Sequence, residues 1–155
     1  MASDQIYLGN PLLKKANVKQ DFTKEQIAEY VKCAADPVYF TKNYVQIVSL
    51  DEGLVPFKMW DFQEELIRKF HKDRFNIAKL PRQTGKSTTV VSYLLHYALF
   101  NDSVNIGILA NKASTARDLL GRLQTAYENL QKWIQQGVIS WNKGSMELEN
   151  GSKIL

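Results

Sequence analysis

The chain has 155 residues, of which 45% are hydrophobic and 23% charged, and its formal net charge at pH 7 is +4. This is the composition of a globular protein with one core, and it excludes a low-complexity chain. The single cysteine, Cys33, excludes an intrachain disulfide and favours a reducing compartment. The longest apolar stretch, at 90–100, is shorter than the ~20 residues of a membrane-spanning helix. A mildly basic balance fits a nucleic-acid partner without establishing one.

The N-terminal part of the chain carries mainly helical signals. Thr23 and Gln26 have capping-box spacing, and Pro37 suits the first turn of a second helix. Apolar residues at helical spacing after Asp61 indicate a third. The predicted elements are a loose arm at 1–21, helices at 23–35 and 37–44, a strand at 45–50, a loop at 53–56 and a helix at 62–70. We expect residues 1–56 to form an arm and a small helical region.

From residue 75 the chain alternates between strand and helix signals. Apolar runs at 75–80 and 104–110 read as strands, and the segments at 87–100 and 113–130 read as helices. This order predicts a βαβ unit with a parallel sheet.

The end of the chain has the signals of a β-hairpin. The turns Lys143-Gly144 and Asn150-Gly151 separate short strands at 138–141, 146–149 and 153–155. Two parallel strands do not complete a sheet. We therefore expect residues 57–155 to be the first part of an α/β domain, and the chain to be a fragment.

A glycine, a lysine and a serine lie between the predicted strand at 75–80 and the helix that follows, which is the context of a phosphate-binding (Walker A) loop. Gly85 allows close approach of the backbone to phosphates, and the helix start adds a positive dipole end. Lys86 is expected between the β- and γ-phosphates of ATP, and the Ser87 hydroxyl on Mg²⁺. Leu80 stands where the usual pattern has glycine. The predicted nucleotide-binding residues of the loop are Arg82, Gln83, Thr84, Gly85, Lys86, Ser87 and Thr88.

Two further residues have two interpretations each. Arg82 either reaches the γ-phosphate, in its own or a neighbouring subunit, or is a solvated charge. Gln63 can read the adenine edge, because its amide both donates and accepts, and Trp60 or Phe62 can stack on the base. The alternative for Gln63 is an ordinary helix start capped by Asp61.

Several segments together resemble the large terminase subunit of tailed bacteriophages, myovirus type. The resemblance covers about 57–155, and its most specific part is the glycine-poor loop at 82–87. The other matching segments are Trp60-Asp61-Phe62-Gln63, Gly107-Ile108-Leu109-Ala110, Trp141-Asn142-Lys143-Gly144-Ser145 and Glu149-Asn150-Gly151-Ser152.

The resemblance implies a P-loop NTPase domain of RecA-like (ASCE) type that pumps double-stranded DNA through a portal ring into a procapsid. It implies a small terminase subunit as partner, a homo-oligomeric ring for the intact protein, the host cytoplasm as location and no membrane. By position, Lys86 and Arg82 take catalytic roles, Ser87 binds Mg²⁺ and Gln63 reads adenine. The family's Walker B and nuclease carboxylates would lie beyond Leu155. We therefore expect this chain alone to bind ATP weakly and not to hydrolyse it.

Two other functions fit the same residues. A helicase-type ATPase would also carry the glutamine and a basic loop near Asn111 and Lys112. This loop has two interpretations, which are compatible: it contacts DNA, or Asn111 or Ser114 caps the next helix. A non-catalytic fragment would instead dock onto the portal or the small subunit through the helices at 23–44.

Overall fold

The computed structural model describes residues 5–49 and 51–155 and shows an α/β protein of helices and small sheets. The elements are β1 (Ile6–Tyr7), β2 (Asn10–Lys14), α1 (Lys24–Ala35), α2 (Pro37–Tyr44), β3 (Gln46–Ser49), β4 (Gly53–Pro56), α3 (Asp61–Lys72), α4 (Lys86–Phe100), β5 (Asn105–Ile106), α5 (Ala113–Glu128), β6 (Val138–Trp141), β7 (Met146–Leu148) and β8 (Lys153–Ile154). The described helices include no segment long and apolar enough to cross a bilayer.

The sequence suggested a loose N-terminal arm, but the described part of this arm contains the antiparallel hairpin of β1 and β2. Leu8 and Gly9 form its turn with φ of 45° and 78°, and two positive φ values are what a tight hairpin turn of type I′ needs. Leu13 is buried in the core, and the buried Gln135 side chain accepts a hydrogen bond from the Lys14 N–H at 3.1 Å. This docking joins partners that are distant in sequence. Residues 1–4 of the predicted arm lie outside the described part.

The helices α1 and α2 form where their capping signals predict them. The Thr23 hydroxyl accepts from the Gln26 N–H at 3.2 Å, and the Gln26 side chain accepts from the Thr23 N–H at 3.0 Å. Asp36 caps α2 by accepting from the Val38 N–H at 2.8 Å, and Pro37 occupies the first turn. Both helices are therefore specified by local side-chain chemistry.

The four-stranded sheet has the order β5-β8-β7-β6, and its pairs are antiparallel except β5 with β8. The hairpin of β6 and β7 and the turn before β8 confirm the β-hairpin predicted for residues 138–155. The turn residue Gly151 has φ of +81°. The other two sheets, β1-β2 and β3-β4, are antiparallel hairpins. A sheet that is parallel throughout is therefore not what the described residues form.

The strand predicted at 75–80 is wrong for this structure. The segment pairs with no strand among the described residues, and Phe75 is 82% exposed. Of the strand predicted at 104–110, only Asn105 and Ile106 pair, and Leu109 is 93% exposed. An apolar run becomes a strand only when a neighbour takes up its backbone hydrogen bonds. Among the described residues, 75–80 has no such neighbour, and 104–110 has one only as far as Ile108, whose N–H donates to the Leu155 carbonyl at 2.8 Å.

The hydrophobic core lies between α4, α5, α2 and the sheet, and includes buried residues from both parts of the predicted division at residue 56. His96 of α4 is buried, and its Nε2 donates to the Cys33 carbonyl at 2.8 Å. Cys33 is itself fully buried, and its burial raises the pKa of its thiol to about 12. This cysteine is therefore an inert core residue. The core therefore holds α4 rigidly behind the turn that precedes it.

Candidate functional site

The turn at 81–85 joins the exposed segment at 75–80 to the buried helix α4. Gln83 has φ of 61°, and Gly85 follows at φ 68° and ψ 15°, so two left-handed residues flank Thr84. Glycine occupies this conformation without steric cost, whereas Gln83 is one of few non-glycine residues here that adopt it. The alternation curls the chain immediately before Lys86, the first residue of α4.

Two side chains hold this turn closed on one carbonyl. The Thr84 hydroxyl and the Lys86 ammonium both donate to the Pro81 carbonyl, each at 3.0 Å. The Thr89 hydroxyl donates to the Gly85 carbonyl at 3.0 Å from inside the helix. The turn is therefore compact, and the Lys86 ammonium lies across it.

The N-terminus of α4 is free to take an anion. Gly85 is its N-cap and no side chain caps it, so the first backbone N–H groups of the helix are not satisfied by a cap. They carry the positive end of the helix dipole, beside the Lys86 ammonium. Ser87 and Thr88 lie half-buried in this first turn. This combination of dipole, N–H groups and cation can hold a phosphate group.

Gln63 of α3 lies directly behind the turn. It is 3% exposed, and its Nε2 donates to the Thr84 carbonyl at 3.1 Å. Its Oε1 accepts from the Trp60 N–H at 2.9 Å, which closes the start of α3. The helix begins one residue earlier than expected, with Trp60 and not Asp61 as N-cap. The structure thus joins two predicted site residues that are well separated in sequence.

Two aromatic rings stand at the surface beside this glutamine. Trp60 is 60% exposed and Phe62 37% exposed, and their ring centroids lie 5.7 Å apart. Large exposed rings next to a polar turn are available for stacking on a planar ligand. Arg82 is exposed on the turn itself and has no ion-pair partner among residues 5–49 and 51–155.

The loop after β5 is exposed. Neither Asn111 nor Ser114 caps α5: the N-cap is Lys112, which makes no side-chain capping bond. The predicted capping role is therefore wrong, and the role of the loop in contacting DNA stays a prediction.

Sequence reasoning missed the residues that close the turn. Thr84 was predicted only as a nucleotide-binding residue of the loop, yet its hydroxyl bonds three residues back, as threonine side chains in turns often do. Thr89 was not singled out, although a threonine four residues after the glycine can bond that carbonyl within a helix. Both signals are present in the sequence but are too common to be assigned without coordinates.

Residues 77–155 match the model of a protein family described as "Terminase large subunit, T4likevirus-type, N-terminal". The match covers just over half of the chain and contains the turn at 81–85, helix α4 and the four-stranded sheet. It begins after Gln63, so that residue rests on the geometry alone.

Proposed function

The chain belongs to the family of terminase large subunits of T4likevirus type, which implies a role in viral DNA packaging, and from this premise we propose that it is the ATP-binding part of the packaging motor. The intact protein would couple ATP hydrolysis to movement of double-stranded DNA through a portal ring into the procapsid. The observation that carries the proposal is the turn at 81–85, closed by Lys86 and opening onto the uncapped start of α4.

In this proposal the residues of the turn divide the work of holding a triphosphate. The N–H groups at the start of α4 would bind phosphate oxygens, and the Lys86 ammonium would leave the Pro81 carbonyl for the β- and γ-phosphates. The Ser87 hydroxyl would hold Mg²⁺, which offsets phosphate charge when bound. Arg82, exposed on the turn, would act on the γ-phosphate in its own or a neighbouring subunit.

A P-loop NTPase fold gives the exposed apolar segments a role. The segments at 75–80 and 107–110 expose Phe75, Ile77 and Leu109, which is unfavourable for isolated surface strands. We propose that both become strands of a parallel sheet, with α4 behind it, in the P-loop NTPase fold of the intact motor.

The other partners follow from the same family. The small terminase subunit, the portal ring and a homo-oligomeric ring of the intact protein belong to the proposal, as does the host cytoplasm as its place of action. The family match favours a packaging motor over the helicase-type ATPase that the glutamine and the basic loop also allowed.

Binding of Mg²⁺·ATP to the purified chain tests the proposal. Lys86→Ala should weaken it at least tenfold, since a charged hydrogen bond contributes about 1.5–3 kcal/mol. Lys79→Ala, an exposed lysine on the preceding segment, is the matched control and should leave the affinity unchanged. Equal affinities for the wild type and Lys86→Ala would contradict the proposal.

A second candidate function is docking onto a packaging partner through α1. Ile27 and Val31 are 53% and 62% exposed on one face of this helix, next to Phe22 at 41%. The double variant Ile27→Ser/Val31→Ser should then lose capture of the portal or the small subunit. Val48→Ser, at an equally exposed valine of β3, should keep it. Unchanged capture by the double variant would exclude this surface.

A further inference from the structure

Gln63 connects the start of α3 to the turn before α4 through two hydrogen bonds. The residue is only 3% exposed, and both atoms of its side-chain amide form hydrogen bonds. Its Oε1 accepts from the Trp60 N–H, and its Nε2 donates to the Thr84 carbonyl. A β-carbon added at Gly85 would lie 2.6 Å from that Nε2, so the amide is pressed against the glycine backbone. Gln63 therefore touches the turn at the peptide that joins Thr84 to Gly85.

That contact sets the direction of an N–H group. A peptide unit is planar and trans, so its C=O and its N–H point in opposite directions. Fixing the Thr84 carbonyl toward Gln63 turns the Gly85 N–H away from α3. Glycine has little steric resistance to rotation, so without this contact the peptide plane could turn over at low cost.

The glutamine is itself firmly held. It lies in the first turn of α3. The residue after it, Glu64, forms an ion pair with Lys42 of α2 at 2.6 Å. The hydrogen bond that Oε1 accepts from the Trp60 N–H fixes the orientation of the side-chain amide. The turn is thus braced by a side chain that is anchored to the helical region.

We propose that Gln63 is a positioning residue that orients the Gly85 N–H for the phosphates, and that its main effect is on the triphosphate and not on the base. The inference rests on the proposed function, because it presumes that the turn binds a triphosphate. In the adenine-reading role expected from sequence, Gln63 would instead contact the base itself.

The choice of variants isolates the contact. Gln63→Glu keeps an acceptor for the Trp60 N–H but places a carboxylate oxygen against the Thr84 carbonyl, which repels it. Gln63→Met removes both contacts without burying a charge, in case the first variant folds poorly. Gln124→Glu is the matched control, because Gln124 also donates to a backbone carbonyl, that of Asn142 at 2.8 Å, outside this site.

The readout is the affinity of the full chain for ATP, GTP and inorganic triphosphate, each with Mg²⁺. Gln63→Glu and Gln63→Met should weaken all three by a similar factor, about tenfold, and leave the ratio of ATP to GTP affinity unchanged. Loss of ATP affinity alone, with triphosphate unaffected, would assign Gln63 to the base and overturn the inference. Unchanged affinities for all three would overturn it as well.

Triphosphate binding by the turn and the positioning role of Gln63 can fail separately. If the wild type binds none of the three ligands in a Lys86-dependent way, the proposed function fails and the inference fails with it. If binding depends on Lys86 but the Gln63 variants change only base preference, the proposed function stands and the positioning role is wrong.

Discussion

Acid should destabilise this protein through one buried histidine. His96 of α4 packs against the rings of Phe40 and Phe100, with centroid distances of 5.5 and 4.9 Å. Its Nε2 must carry the proton, because the Cys33 carbonyl can only accept. Among the described residues, Nδ1 of His96 is buried without a hydrogen-bond partner. A second proton would therefore enter an apolar site with no acceptor, and burial lowers the pKa of His96 from 6.5 to about 4.

The sign and the size of the effect follow from this lowered pKa. Between pH 6.5 and about 4 the unfolded chain binds a proton that the folded chain does not. Stability is therefore complete above pH 6.5 and falls as the pH drops toward 4. At about 1.4 kcal/mol for each pH unit, the loss is roughly 3 kcal/mol.

The assay is urea unfolding at a series of pH values across this range. Carboxylates also titrate near its lower end, so the informative quantity is the slope of the wild type compared with that of His96→Gln. The amide keeps a donor for the Cys33 carbonyl and cannot titrate, so its stability should fall less steeply. His71→Gln should change the slope less than His96→Gln does, because it removes only a neighbouring ring, 6.0 Å away between centroids, whose charge also opposes protonation of His96. Equal slopes for wild type and His96→Gln would refute the reasoning.

Four further substitutions test the ionic contacts, the packing of glycines and the turn before α4. Glu29→Gln should flatten the acid dependence of unfolding, because hydrogen bonds from two tyrosine hydroxyls lower the pKa of Glu29 from 4.5 to about 2, so its contribution is present above pH 4.5 and lost as the pH falls toward 2. Gly137→Ala should cost about 1–3 kcal/mol in denaturant unfolding, since its β-carbon would lie 2.5 Å from the Ala16 backbone, whereas Gly121→Ala, in an open position of α5, should gain up to about 1 kcal/mol. Gly85→Ala should weaken triphosphate binding at least tenfold, because φ of +68° and the amide packed against it both oppose a side chain.

Local signals in the sequence predicted much of the fold, because the groups that make them lie a few residues apart. The Thr23 box, the proline of α2 and the Asn150-Gly151 turn each formed as expected. The N-terminal hairpin was missed because its stability comes from distant partners. Gln135 reaches β2 across the chain, and Glu149 accepts from the Asn17 N–H at 2.9 Å. No short-range pattern encodes such contacts.

The strand expected at 75–80 shows the opposite failure. Its apolar residues match a strand by composition, but a strand also needs a neighbour for its backbone hydrogen bonds, and composition does not report whether one is present. The exposure of Ile77 therefore follows from the missing strand neighbour and not from a low strand propensity.

The candidate site was partly accessible from sequence. The position of the turn before α4 followed from the order of elements, and Gly85 proved to be left-handed. The contact between Gln63 and the Thr84 carbonyl could not be foreseen, because it depends on how α3 packs behind the turn. The roles of the turn residues in binding ATP and Mg²⁺ remain predictions.

A titration of the isotope-labelled chain with Mg²⁺·ATP, followed by the NMR shifts of its backbone amides, tests the central claim most directly. The account predicts that the largest changes occur at Gly85, Lys86 and Ser87, and that they are lost in Lys86→Ala. Changes centred elsewhere, for example at Tyr97 and Ile106, or shifts at the turn that persist in Lys86→Ala, would contradict it.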